Sequence, residues 1–141
     1  WSLDGCRAWV NETVRGVVHA ATFDGASGRL VDPRPWLRFD AEDGHPDGMT
    51  VDAQGRLWIA HWGGGCVSCH APDDGRELGR VALPTSHVTN VTFGGPDFAT
   101  LFVSSATSEL SDAQRAAQPH AGALFTVETN ARGLAAARYA G

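Results

Sequence analysis

Asp47 lies in Pro46-Asp47-Gly48-Met49, a carboxylate in a tight turn just before a strand. A carboxylate held there can ligate a hard cation or take a proton from water. The chain then runs through Val51-Asp52, a turn at Gly55, and a second strand ending in His61-Trp62 before Gly63-Gly64-Gly65. His61 and Trp62 end the strand that follows Asp47's own. His61 is a candidate substrate contact, and Trp62 is a candidate platform for ring stacking. His61 also reads as a half-buried histidine with a satisfied hydrogen bond.

Cys66-Val67-Ser68-Cys69-His70 offers a different chemistry. C-x-x-C-H is the attachment motif of c-type haem, with the histidine on iron. Residues i and i+3 of a strand point to opposite faces, which sets the two thiols apart. Met49, the single methionine, belongs to the turn and leaves no obvious sixth ligand. A zinc site on the same three residues has no second pair to close it. The haem-carrier reading through Cys66, Cys69 and His70 stands as a minor alternative to three incidental substitutions. No Gly-x-Ser-x-Gly elbow appears. The glycine run lacks the lysine and helix of a phosphate-binding loop.

The elements that must position these residues are short β-type runs between Gly, Asp and Pro clusters. The pattern predicts strands over Ala8–Asn11, Val17–Phe23, Trp36–Phe39, Met49–Val51, Leu57–His61, Cys66–His70, Gly79–Ala82, Val88–Phe93, Leu101–Ser105 and Gly122–Glu128. Turns are expected at Asp24-Gly25, Ser27-Gly28 and Asp74-Gly75. One helix is expected, with Ser111 and Gln114 as a capping box and Pro119 as its stop.

The 141 residues fit one domain, with 43% apolar and 19% charged residues and a net charge of −5. All 11 basic residues are arginine, and no basic cluster suggests a nucleic-acid surface. Apolar runs are far shorter than the roughly 18 residues of a membrane span. Three cysteines do not make a secreted disulfide framework. A cytoplasmic location is the expectation.

A repeat underlies the strands. Trp1-Ser2-Leu3-Asp4-Gly5, Val51-Asp52-Ala53-Gln54-Gly55 and Phe93-Gly94-Gly95-Pro96-Asp97 each lead into an aromatic–aliphatic strand. A period of roughly 40–50 residues with four strands per unit is a propeller pattern. About three blades fit in this chain, whereas closed propellers have roughly 4–8. Asn90 precedes the Phe93 strand much as Asp47 precedes its own. It reads either as a channel-facing residue or as a turn residue.

Several segments together resemble the senescence marker protein, gluconolactonase and luciferin-regenerating enzyme family, which includes regucalcin. They are Trp1-Ser2-Leu3-Asp4, Gly28-Arg29-Leu30, Pro46-Asp47-Gly48-Met49, Gly55-Arg56-Leu57-Trp58, Trp62-Gly63-Gly64-Gly65, Phe93-Gly94-Gly95, Leu110-Ser111-Asp112, Gln118-Pro119 with Ala121-Gly122, and Tyr139-Ala140-Gly141. The resemblance implies an all-β fold, with residues 1–141 forming the C-terminal half of a six-bladed propeller. It implies hydrolysis of a sugar lactone with one divalent cation, commonly Ca²⁺ or Zn²⁺, with Mg²⁺ and Mn²⁺ as further candidates.

Of three family metal ligands, the resemblance leaves only Asp47 in this chain, as ligand and as base. The other two are expected in a missing N-terminal half, the implied partner. The 141 residues alone are therefore expected to be inactive. A calcium-binding protein without turnover is the alternative. Neither nucleic acid nor membrane is an expected partner.

Overall fold

The structure is a computed structural model and describes residues 1–136, so Tyr139-Ala140-Gly141 lies outside the described residues. Ten strands form three antiparallel sheets that follow one another along the chain. The first holds β1 (Arg7–Glu12), β2 (Val17–Asp24) and β3 (Arg29–Arg38). The central sheet orders β4 (His45–Val51), β5 (Leu57–Trp62), β6 (Cys66–His70) and β7 (Glu77–Ala82). The third holds β8 (Val88–Gly94), β9 (Thr100–Ser105) and β10 (Leu124–Glu128). Four strands were expected in each unit. Among the described residues only the central sheet has four, and its neighbours have three each.

The central sheet explains the packing. Its β5–β6 register sets Leu57 opposite His70, Ile59 opposite Ser68 and His61 opposite Cys66 on one face. Trp58 opposite Cys69 and Ala60 opposite Val67 share the other. Leu57 and Ile59 pack with Trp9 and Val18 of the first sheet, joined by Trp36, Leu37 and Phe39. Trp58, Ala60, Val67 and Cys69 pack with Val91, Phe93, Leu101 and Val103 of the third. Every residue of β6 is therefore buried. Trp9 and Trp36, both of the first sheet, meet at 5.5 Å within one interface, and Trp58 meets Phe93 edge-on at 5.6 Å across the other.

Local signals hold where local chemistry decides. Helix α1 (Asp112–Ala117) starts at Ser111, whose hydroxyl accepts from the Gln114 N–H while the Gln114 side chain returns to the Ser111 backbone. The turn after β2 is closed by the Asp24 carboxylate, which accepts from Ala26 N–H and Ser27 Oγ–H.

Two boundaries are corrected. Strand β3 extends back to Arg29 rather than starting at Trp36. Pro33 and Pro35 are tolerated because β3 is an edge strand whose outer side needs no N–H. Strand β4 begins at His45, so Asp47 stands inside it rather than in a turn before it. The pairing of β4 with β5 skips from Pro46 to Met49, and Asp47-Gly48 forms the bulge. Among the described residues, no helix is long and apolar enough to cross a membrane.

Candidate functional site

Asp47 is aimed by that bulge and by the strands beside it. The extra residue bends β4, and bulges commonly re-aim side chains next to active sites. Asn11, at the end of β1, donates through Nδ2 to the main-chain oxygen of Asp47. Asn11 Oδ1 is buried with no hydrogen-bond partner among the described residues. On the other flank β4 packs against β8, which has its own register shift between Val88 and Asn90. A Cβ on Gly48 would lie 2.6 Å from Asn90 Cα and closer still to the Asn90 carboxamide. Only glycine allows β8 to come this near.

The Asp47 carboxylate is half-buried and accepts no hydrogen bond from another side chain among the described residues. Burial pushes its carboxyl above the ordinary aspartate range, opposed only by the Gly48 N–H.

His61 is placed elsewhere. It is wholly buried between the first and central sheets, and both ring nitrogens are engaged. Nδ1–H donates to the Asp43 carbonyl at 2.9 Å, and Nε2 meets Ser68 Oγ at 2.6 Å. The same hydroxyl lies 2.8 Å from His70 Nε2, and His70 Nδ1–H donates to the Gly75 carbonyl at 2.8 Å. Phe39 stands edge-on to both imidazoles, at 4.7 and 5.7 Å. His61 therefore has no free nitrogen for a substrate. Its partner is a buried relay that sequence reading missed, because a serine two residues before a histidine carries no signal of its own.

That relay is one hydrogen short when both rings are neutral. Each proton sits on Nδ1, so both Nε2 atoms are acceptors, and Ser68 has one hydrogen to give. Burial lowers the pKa of both imidazoles, and the Arg80 guanidinium adds to this. The Asp43 carboxylate pulls the other way at both rings, and Glu77 does so at His70. Arg80 is itself tied to Asp43 at 3.1 Å and to Glu77 at 2.8 Å.

Trp62 lies at the start of the glycine turn, partly exposed, with one ring face stacked on His87 at 4.1 Å. His87 is held in turn by the Ser108 carbonyl at 2.9 Å.

The residues do not fit a c-type haem. Cys66 and Cys69 are buried on opposite faces of β6, and both His70 nitrogens are taken. Burial pushes the Cys66 thiol up and the Cys69 thiol up to about 11.

The family model described as the SMP-30/Gluconolactonase/LRE-like region matches residues 1–107. The chain belongs to this family. An L-arabinolactonase of Azospirillum brasilense is 43% identical over 114 residues, covering 81% of this chain and 37% of that protein. Regucalcin of Xenopus laevis is 31% identical over 142 residues, covering 100% of this chain and 48% of that protein. The crystal structure of regucalcin from Agrobacterium tumefaciens, described as a calcium-binding protein, superposes with a TM-score of 0.87 at 28% identity. That match covers 95% of this chain and 45% of the other. The chain spans about half or less of the length of the curated relatives it matches. Its three antiparallel sheets are thus part of an SMP-30/gluconolactonase-type propeller.

Within this SMP-30/gluconolactonase chain, Asp47 suits a hard divalent cation as one ligand. It is an oxygen donor, half-buried, with no cationic partner among the described residues. No group of three His, Cys, Asp or Glu side chains among the described residues forms a complete metal site.

Proposed function

We propose that residues 1–141 are the C-terminal half of a six-bladed propeller, and that the complete protein hydrolyses a sugar lactone with one divalent cation. The observation that carries this reading is the bulged, half-buried Asp47 carboxylate, which lacks any partner side chain among the described residues. Ca²⁺ or Zn²⁺ suits the reading best, with Mg²⁺ and Mn²⁺ next. When bound, the cation would polarise the lactone carbonyl and acidify a water molecule.

Asp47 would be one cation ligand and the base that accepts a proton from the attacking water. The water oxygen then bonds to the carbonyl carbon, the ring C–O bond breaks, and the leaving alkoxide takes the proton from the Asp47 carboxyl. Asn11 and Gly48 hold the backbone from which it projects. Trp62 would offer the exposed part of its ring to the sugar.

The half-propeller reading is supported by the first sheet. Its face away from the central sheet leaves Val10 47% and Leu30 43% exposed, beside Pro33 and Pro35 in an apolar hollow. A preceding blade would cover it.

A second reading has the same Asp47 bind calcium without turnover, and the calcium-binding regucalcin structure favours it. One experiment tests both. The complete protein is assayed on sugar lactones with and without a chelator, beside Asp47→Asn. Chelation and D47N should each lower kcat/KM by about 10²–10⁴-fold. Full turnover by D47N overturns the assignment. Cation binding without turnover of any lactone favours the second reading. The 141-residue chain alone should be inactive, because one carboxylate does not hold a cation firmly in water.

A further inference from the structure

Resting on the Asp47 reading, we propose that Asn90 is a substrate-binding residue, whose carboxamide N–H donates to a hydroxyl oxygen of the sugar lactone. Three observations converge on it. The two neighbouring strands β4 and β8 bulge at the same level, at Asp47-Gly48 and at Thr89. Gly48 has no side chain, and the Asn90 carboxamide occupies the space a Cβ there would need. Asn90 therefore lies against the residue that follows Asp47.

The orientation of the carboxamide is also set. Asn90 Oδ1 accepts from the Val91 N–H at 2.9 Å, which commits the oxygen to the backbone. Asn90 Nδ2 has no acceptor among the described residues, and the residue is exposed. Two N–H donors are left free on a carboxamide that lies against Gly48, the residue after the proposed base. Thr89, one residue earlier, has its hydroxyl paired with Ser104 Oγ at 2.8 Å. A fixed donor pair against the residue that follows the proposed base suits a polyhydroxylated substrate, whose hydroxyl oxygens accept hydrogen bonds. A site built to bond a hydroxyl discriminates against a substrate that lacks it.

The test compares glucono-δ-lactone with δ-valerolactone, which has the same six-membered ring and ester but none of the hydroxyls. It uses the complete protein with its divalent cation. Asn90→Ala should lower the ratio of kcat/KM for the sugar lactone over that for δ-valerolactone by about 3–10-fold, the worth of one hydrogen bond. Most of the change should appear as a raised KM for the sugar lactone. Asn90→Ser, which keeps a donor, should recover part of the ratio. An unchanged ratio overturns the proposal, whether both rates fall together through a loosened β4–β8 contact or neither falls. Asp47→Asn run in parallel tells the two readings apart. Retained turnover in D47N removes the base on which the proposal rests. Lost turnover in D47N with an unchanged N90A ratio removes Asn90 alone.

Discussion

The indole N–H of Trp58 donates to Asp52 Oδ2 at 2.8 Å, across the turn that joins β4 to β5. Asp52 is fully buried and also accepts from Arg56 Nε at 2.7 Å and from the backbone N–H groups of Gln54 and Arg56. One carboxylate thus closes the turn and aims Trp58 at Phe93 in the third sheet. Asp52→Asn turns an amide N–H toward Arg56 or Trp58 in place of an acceptor. Removing one member of a buried charged pair costs about 3–5 kcal/mol, and the asparagine keeps part of the network. A loss of about 2–4 kcal/mol is expected by urea unfolding. A loss below about 0.5 kcal/mol would show that the turn holds without it.

Gly48→Ala tests the approach of the two bulged strands. Its Cβ meets Asn90 backbone, which has no flexible end to swing away. Overpacking of this kind costs about 1–3 kcal/mol. The expected outcome is that stability loss together with a fall in kcat/KM, since the shift displaces Asp47. Unchanged stability in G48A would mean that β4 and β8 separate at no cost.

The His61–Ser68–His70 relay predicts a pH dependence. Burial holds both imidazoles below the usual pKa, so the unfolded chain binds more protons than the folded one below about pH 6.5. The stability contributed by the neutral rings is complete above that pH and is lost as pH falls. Unfolding free energy should therefore drop between about pH 7 and pH 5. The acidic groups whose pKa is lowered, Asp4, Asp24 and Glu77, act only nearer their own ranges below about 4.5. Replacing both histidines by glutamine should flatten the slope. An unaltered slope in that variant would place the pH dependence elsewhere.

Thiol reactivity separates the three cysteines. Cys6 is exposed, while Cys66 and Cys69 are buried and their thiols are raised. Iodoacetamide at pH 8, followed by peptide mass mapping, should label Cys6 in the native protein and the other two only in denaturant. Native labelling of Cys66 or Cys69 would contradict the packing of β6 on both faces.

The strands, the capping box at Ser111 and Gln114, and the Asp24 turn were legible in the chain because each depends on neighbours a few residues away. The bulge at Asp47-Gly48 reads as a turn in the chain, since Asp-Gly signals irregular backbone without saying whether pairing resumes on both sides. Ten strands at a period of roughly 40–50 residues also carried the family's pattern. His61, Ser68 and His70 share one face by the two-residue alternation of strands, and so does Cys66.

Alternation does not say what that face meets. Only the tertiary structure laid the first sheet over it, turning three polar residues into a buried relay rather than a channel wall. It likewise brought Asn90, 43 positions along the chain from Asp47, against Gly48. The sequence by itself determined the strands, their turns and the carboxylate most suited to chemistry, because those rest on local backbone preference. Which side chains stand beside that carboxylate was decided by how the sheets pack, where apolar faces from distant segments must be buried together.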